Sequence, residues 1–283
     1  MPHDWNAAVR SATARLRDAG VDSPRVDAEL LAAYTAGVSR SGLWTAGSPG
    51  ADELARFAEL VARRVARQPL QHIVGTAAFW RGELAVGPGV FVPRPETELL
   101  VEWALRRLAQ VRSPVVVDLC AGSGAIGHAV ATERRDATVY VVEQQPEALV
   151  WLRRNMTGTS ATIVEGDATS PSTLANRDGV CDAVLSNPPY VPRGAAESVS
   201  PEVAADPATA LYAGSDGLDV IRPLIPRAAT LLRPGGVVGI EHDDSHGDTV
   251  GDLLRRAGFT DVAAHRDLAG RPRFATGRKP SGS

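Results

Sequence analysis

Short apolar segments alternate with helical segments from residue 97 onward, and this alternation is the feature that most constrains the fold. The predicted strands are residues 115–119, 139–143, 161–165, 182–186, 237–241, 260–265 and 273–277. Helices are predicted from Leu99 to Leu108 and at residues 124–132, 146–155, 219–232 and 248–257. Such alternation is typical of a mainly parallel sheet with helices on both faces. The last two strands lie too close together for a crossover helix, so we expect them to be antiparallel neighbours.

The first part of the chain is predicted to be helical. One helix from Trp5 ends at Gly20, a second begins at Ser23, and a third runs from about Asp52 to Arg67. Frequent Gly and Pro then predict a hairpin linker over residues 69–96. The domain boundaries that follow are a helical domain at 1–68, this linker, an α/β domain at 97–278 and a disordered tail at 279–283.

Two details of the helical domain can be predicted from periodicity and charge. The apolar face of the second helix is expected to consist of Val26, Leu30, Ala33 and Tyr34. The string RRVAR, residues 63–67, ends the third helix. We interpret it as a solvated helix face, because cations are favoured at the carboxyl end of the helix dipole.

Composition excludes several classes of protein. The 283 residues are 44% hydrophobic, and 30 basic against 33 acidic residues give a net charge of −3. This balance does not favour direct nucleic-acid binding. Cys120 and Cys181 have no metal-ligand spacing, so no metal is predicted, and two cysteines are typical of a reducing cytosol. Without a signal-peptide pattern or a stretch of about 18 apolar residues, we expect a cytoplasmic protein that does not contact membranes. We also expect a monomer, although no sequence feature determines the oligomeric state.

Three acidic residues each follow a predicted strand. Asp118 opens into the turn LCAGSG, Glu143 closes the second strand, and Asp167 follows the third. Glycines in the turn allow a ligand to approach the backbone, and a carboxylate can accept both ribose hydroxyls. Asp167, or the backbone near Ala168, is predicted to meet an adenine amino group. The loop lacks Lys and Arg for phosphates, so the pattern favours S-adenosyl-L-methionine; the alternative is that each acid only caps a helix.

The fourth predicted strand ends in Ser186 and is followed by the sequence Asn-Pro-Pro-Tyr at residues 187–190. An amide nitrogen is a poor nucleophile, since its lone pair is delocalised into the carbonyl. Asn187 can accept one N–H of a substrate amide and the Pro188 carbonyl the other, while the prolines fix the backbone. Tyr190 offers a planar face to the amide and to a sulfonium. We therefore predict Asn187, Pro188 and Tyr190 as catalytic, with the proton leaving to water.

Four stretches of the chain match a known family. They are residues 91–98 (FVPRPETE), Asp118 with the LCAGSGAIG string, residues 187–190, and a looser C-terminal set that includes Glu241-His242. Over about residues 68–278 the chain resembles the bacterial release-factor glutamine methyltransferases. The resemblance implies a Rossmann-like seven-stranded methyltransferase sheet, mainly parallel with the last strand antiparallel, and a small helical N-terminal domain. It also implies N5-methylation of the glutamine in the GGQ motif of class 1 peptide-chain release factors, with S-adenosyl-L-homocysteine as product and residues 1–68 docking the substrate.

The resemblance also assigns roles to individual residues. Together with Asp118 and Asp167, the predicted cofactor-binding residues are Cys120, Ala121, Gly122, Ser123, Gly124, Glu143, Ala168 and Asn187. The predicted substrate-binding residues are Asn187, Pro188, Pro189 and Tyr190, with Arg94 and Glu96 shaping the active-site wall or only bracing it. Cys120 stands where many members have glycine, and it fits comfortably only if its φ stays negative. Glu143 stands where many members have aspartate.

Other functions are compatible with parts of this pattern. An Asn-Pro-Pro-Tyr sequence also suits a methyltransferase that modifies an amino group of nucleic acid or a ribosomal-protein glutamine. A cofactor-binding assembly protein without turnover is a further alternative. The PRPETE string favours the release-factor enzymes over the ribosomal-protein enzyme, and the weak charge of the N-terminal residues does not favour nucleic acid.

Overall fold

The computed structural model describes residues 4–195 and 199–281. Its helices are α1 (Trp5–Asp18), α2 (Pro24–Ala36), α3 (Ala51–Val65), α4 (Leu70–Val74), α5 (Thr97–Leu108), α6 (Ala125–Glu133), α7 (Pro146–Met156), α8 (Pro201–Ala204), α9 (Ala208–Leu211), α10 (Ile221–Leu231) and α11 (Gly247–Arg256). Its strands are β1 (Thr76–Phe79), β2 (Gly82–Ala85), β3 (Val115–Leu119), β4 (Thr138–Glu143), β5 (Thr162–Glu165), β6 (Cys181–Ser186), β7 (Leu232–Glu241), β8 (Thr260–Arg266) and β9 (Pro272–Arg278). Within the described ranges, no helix is long and apolar enough to span a membrane.

The chain forms two compact units. One consists of the chain up to Thr76 together with Ser200–Ala205, and the other of the chain from Ala77 onward without that segment. The first unit therefore contains α1 to α4 and also α8, which comes from a distant part of the sequence. Its apolar core includes an edge-to-face pair of Trp5 and Phe57, with ring centroids 5.8 Å apart.

The buried face of α2 differs in part from the prediction, because Ala33 is buried as expected but Val26 and Tyr34 are not. Val26 is 36% exposed and Tyr34 is 41% exposed, whereas Asp27 and Glu29 are buried beside Ala28 and Leu31. Glu29 can be buried because its carboxylate accepts hydrogen bonds from Arg25 at 2.8 Å and Arg40 at 2.6 Å. These ion pairs compensate the loss of hydration, so a helix face with carboxylates turns inward.

The interpretation of RRVAR as a solvated face is wrong at Arg64. Its side chain is buried and donates to Asp27 at 2.7 Å and to Glu202 at 2.8 Å. Arg67 donates to the other oxygen of Glu202 at 2.6 Å. Burial raises the pKa of Glu202, but hydrogen bonds from Arg67 and Arg64 outweigh it and hold the pKa low, at about 2. Opposite charges from α2 and from residue 202 make burial of this cation possible.

The second unit contains a seven-stranded sheet with the order β5-β4-β3-β6-β7-β9-β8. Strands β3 to β7 are mutually parallel, and β9 is antiparallel to β7 and to β8. Helices α5, α6 and α7 contribute to an apolar cluster on one side of the sheet, and α10 and α11 contribute to a second cluster. The predicted fold class, including the antiparallel last strand, is confirmed.

Strand β7 begins earlier than predicted. It starts at Leu232, and the sequence RPGG at residues 233–236 forms an irregularity opposite β6, with Gly235 at φ +79°. Lys279, placed by the sequence in the disordered tail, stabilises this region. Its ammonium donates to the carbonyls of Ala229 at 2.8 Å and Leu232 at 2.7 Å. Residues 282–283 of the predicted tail lie outside the described residues.

Candidate active site

Two loops leave the sheet side by side at the carboxyl ends of β3 and β6. These strands are parallel neighbours, and Leu119 pairs with Ser186 at their last positions. The Ser186 hydroxyl donates to the Leu119 carbonyl at 2.6 Å and joins the two strand ends. Residues 120–124 and 187–190 therefore start from adjacent points on the same edge, where open α/β sheets bind their ligands.

The first loop is a tight turn built on left-handed residues. Cys120 has φ +62°, so the condition for a comfortable fit of a cysteine here, a negative φ, is not met. Cys120 therefore adopts a left-handed conformation that costs roughly 1–2 kcal/mol for a residue with a Cβ. Gly122 has φ +56°, and a Cβ added to it would meet nothing within 4 Å. The backbone at Gly122 consequently borders open space in which a ligand can approach.

Glu143 lies directly against this turn. Its Oε2 accepts the Gly122 N–H at 2.8 Å, and its Oε1 accepts the N–H groups of Gln144 and Gln145, each at 2.8 Å. The carboxylate thus fixes the turn as well as the end of β4. Of its roughly four acceptor positions, three are used, which leaves one on Oε2 for a ligand.

The other two predicted acids, Asp118 and Asp167, accept hydrogen bonds from other parts of the backbone. Asp167 is exposed beyond β5, where its Oδ1 accepts from the Thr169 N–H at 2.8 Å and hydroxyl at 2.7 Å, and the adjacent Ala168 is buried. Asp118 is 1% exposed, and its Oδ2 accepts the Gly127 N–H at 2.9 Å. Its Oδ1 has no hydrogen-bond partner among the described residues. Both acids organise local backbone, and their direct contact with a cofactor stays a prediction.

Burial raises the pKa of Asp118 to about 7, against the opposing hydrogen bond from Gly127. Between about pH 4 and pH 7 the unfolded chain loses this proton while the folded protein keeps it, so the free energy of unfolding falls as pH rises. At about 1.4 kcal/mol per pH unit the fall is at most about 4 kcal/mol. We expect Asp118→Asn, which keeps an acceptor for Gly127, to flatten this part of the pH dependence. Urea unfolding of both proteins at pH 5 and pH 8 measures the free energies of unfolding. If the variant lost as much of this free energy between the two pH values as the wild type, the prediction would be contradicted.

The second loop is held by a hydrogen-bond chain that the sequence did not predict. Asn187 donates through Nδ2 to the Thr97 hydroxyl at 3.2 Å, and that hydroxyl donates to Glu241 Oε2 at 2.7 Å. The Tyr190 hydroxyl donates to Glu241 Oε1 at 3.2 Å. Thr97 and Glu241 were each part of a matched motif without an assigned role. The available signal was that Glu241 ends a parallel strand next to β6, as the other acids end theirs.

The pKa shifts in this hydrogen-bond chain follow from the burial of its side chains. Burial raises the pKa of Glu241 to about 7, although the Thr97 hydrogen bond and the Arg273 charge oppose the rise. Burial, assisted by the Glu241 charge, also raises the pKa of the Tyr190 hydroxyl far above its usual range. Tyr190 is therefore a neutral hydrogen-bond donor.

Arg94 and Glu96 each take part in an ion pair. Arg94 contacts Asp206 at 2.5 Å and lies over the Phe91 ring, 4.9 Å from its centroid. Glu96 lies 3.6 Å from Arg271. These contacts support the bracing interpretation of both residues, and their predicted place in the active-site wall stays a prediction.

Comparison with solved structures supports the fold. The hMettl16 catalytic domain, solved with an RNA hairpin, matches 78% of this chain and 80% of its own at 13% identity, with a TM-score of 0.57. A 16S rRNA methyltransferase, RsmC of T. Thermophilus, matches 72% of this chain and 49% of its own at 24% identity, with a TM-score of 0.53. At these identities the likeness concerns the architecture alone.

Sequence comparison is more specific. Residues 7–75 match the family model "PrmC N-terminal domain", and residues 87–242 match "Methyltransferase small domain". The release factor glutamine methyltransferase of Mycolicibacterium smegmatis is 51% identical over 95% of both chains. That of Streptomyces coelicolor is 53% identical over 96% of this chain and 97% of its own. With identity of this level along nearly the whole length, and with a methyltransferase fold, the chain belongs to the family of release factor glutamine methyltransferases.

Proposed function

We propose that this enzyme transfers a methyl group from S-adenosyl-L-methionine to the side-chain amide nitrogen, N5, of the glutamine in the GGQ motif of class 1 peptide-chain release factors. The observation that carries the proposal is the pairing of Leu119 with Ser186. Because of it, a glycine turn suited to a nucleoside and an Asn-Pro-Pro-Tyr loop suited to a planar amide start from adjacent strand ends. A methyl donor and an amide bound there can meet.

The residues of the first loop fit the cofactor. The open space beside Gly122 admits a ligand close to the backbone, and the remaining acceptor position of Glu143 suits a ribose hydroxyl. Small side chains at Ala121 and Ser123 keep the turn compact, and the first helical residues of α6 follow at once. When bound, S-adenosyl-L-methionine supplies a methyl group activated by its sulfonium.

The second loop orients the acceptor. Asn187 Oδ1 accepts one N–H of the glutamine amide and the Pro188 carbonyl accepts the other, while Pro189 keeps the backbone rigid. Tyr190 lies beside the amide plane and stays neutral. The amide nitrogen would form its bond to the methyl carbon as neutral S-adenosyl-L-homocysteine leaves, and the nitrogen, now positively charged, would release one proton to water. Positioning of this kind can contribute roughly 7–11 kcal/mol in the best cases.

Replacing Glu143 should weaken cofactor binding. Glu143→Ala removes a charged acceptor for the ligand and for Gly122, and hydrogen bonds to charged groups contribute about 1.5–3 kcal/mol. We expect affinity for S-adenosyl-L-homocysteine to fall about 10- to 100-fold in isothermal titration calorimetry. Glu165→Ala is the matched control, because Glu165 pairs with Glu143 on the neighbouring strand but is exposed. Equal affinities of the two variants would remove Glu143 from the site.

Methyl transfer to defined acceptors tests the proposed function. Labelled S-adenosyl-L-methionine is offered with native release factor, with a release factor whose GGQ glutamine is replaced, and with RNA and DNA oligomers. We expect label only in the native release factor. Label in the replaced factor would move the target to another residue, and label in an oligomer would favour an amino methyltransferase of nucleic acid.

A further inference from the structure

We propose that Thr97 and Glu241 are positioning residues that fix the rotation of the Asn187 side-chain amide, so that its oxygen faces the substrate. This inference rests on the proposed function, because it concerns how an amide recognises another amide. The two ends of the Asn187 side chain are similar in shape but opposite in hydrogen bonding. If the NH2 group faced a glutamine NH2, two donors would meet and the substrate would not be held.

Glu241 accepts the hydrogen bonds on which the orientation of Asn187 depends. It is the last residue of β7, is 1% exposed, and pairs with Phe274 of β9. Above about pH 7, where Glu241 is ionised despite its raised pKa, its carboxylate can only accept hydrogen bonds. Its two oxygens receive the Thr97 and Tyr190 hydroxyls, so both hydroxyl protons are directed to Glu241.

Thr97 in turn determines which end of the Asn187 side-chain amide faces its hydroxyl. A threonine hydroxyl has one proton and two lone pairs, and the proton is already directed to Glu241 at 2.7 Å. At 3.2 Å from Asn187 the hydroxyl therefore presents lone pairs, which attract an NH2 group and repel an amide oxygen. The Asn187 oxygen is left to face away from Thr97, where it can accept a hydrogen bond from the substrate amide.

The same carboxylate also orients Tyr190. Its hydrogen bond fixes the ring of Tyr190, three residues after Asn187, so one buried group on β7 sets two side chains of the loop after β6. Thr97 is 3% exposed at the first position of α5. Both positioning residues thus lie on regular elements, and such support keeps a site within the narrow geometry that catalysis requires.

Two substitutions of Thr97 separate orientation from packing. Thr97→Val has nearly the same shape but neither donates nor accepts, whereas Thr97→Ser keeps the hydroxyl and loses a methyl group. We expect Thr97→Val to lower kcat for release factor methylation at least 10-fold with affinity for S-adenosyl-L-homocysteine unchanged. We expect Thr97→Ser to retain kcat within about 3-fold of the wild type. A role in packing alone would reverse this order, because serine leaves the larger void.

A second variant covers the case in which Thr97→Val does not fold, as judged by thermal melting. Glu241→Gln introduces a donor that lets the Thr97 hydroxyl turn toward Asn187, and we expect at least a 10-fold fall in kcat. The inference is overturned if Thr97→Ser loses as much turnover as Thr97→Val, or if Glu241→Gln stays within 3-fold of the wild type. A wild-type enzyme that labels no release factor would instead overturn the proposed function.

Discussion

Asn187→Ala should lower the turnover of release factor methylation by roughly 10²-fold or more, which corresponds to about 3 kcal/mol of transition-state stabilisation. The substitution removes the acceptor for one substrate N–H, so the amide is no longer held in the line of attack. It leaves the buried Leu119–Ser186 pairing and the sheet untouched, so folding should be intact. Initial rates with labelled S-adenosyl-L-methionine and purified release factor measure the effect, and thermal melting checks the fold.

Asn176→Ala provides the matched control for this experiment. Asn176 is exposed on a short 3-10 turn at Ala175–Arg177, away from both loops in the sequence. We expect its turnover to equal that of the wild type. Turnover near the wild-type value in Asn187→Ala itself would count against the amide-binding role of the Asn-Pro-Pro-Tyr loop.

Arg64→Ala should destabilise the N-terminal unit by about 3–5 kcal/mol, the range found when one partner of a buried ion pair is removed. Asp27 is buried and would lose the guanidinium at 2.7 Å, so it would be left as an uncompensated charge. Glu202 would keep only Arg67. Urea unfolding measures the total loss, and hydrogen exchange should show the loss of protection in residues 5–74.

The neighbouring Arg63 offers a control in the same string. Its Nε donates to the Gln68 side chain at 2.9 Å, a contact that is only partly buried. Arg63→Ala should therefore cost no more than about 1 kcal/mol, as is usual for substitutions at the surface. If the two variants were equally stable, the ion pairs of Arg64 would not be a major source of stability.

The sequence predicts most of the second unit because its strands are short, apolar and separated by helices. Buried parallel strands need nearly continuous apolar residues, and this local requirement is visible in the residues of β3, β4 and β6. The positions of the two loops follow, because the carboxyl ends of neighbouring parallel strands meet at one edge. The sequence alone therefore places the residues of the two loops, Asn187 among them, near each other.

The contacts that the sequence does not predict join residues far apart in the chain. Thr97 and Glu241 are separated by 144 positions, and Arg64 and Glu202 by 138. Local periodicity classes an arginine as solvent-facing, and only the approach of two carboxylates makes burial of Arg64 possible. At Cys120 the residue type alone does not predict the backbone conformation. A cysteine favours negative φ, but the turn imposes the left-handed conformation.

The presence of Ser200–Ala205 in the first unit has a practical consequence for dividing the protein. A fragment that stops at Thr76 contains every helix from α1 to α4 yet lacks Glu202. Arg67 then loses the carboxylate that it binds, and Arg64 loses one of the two carboxylates that it binds. Such a fragment should be less stable than the same unit in the whole chain. Grafting residues 200–205 onto its end through a flexible spacer, or adding them as a free peptide, should restore that stability.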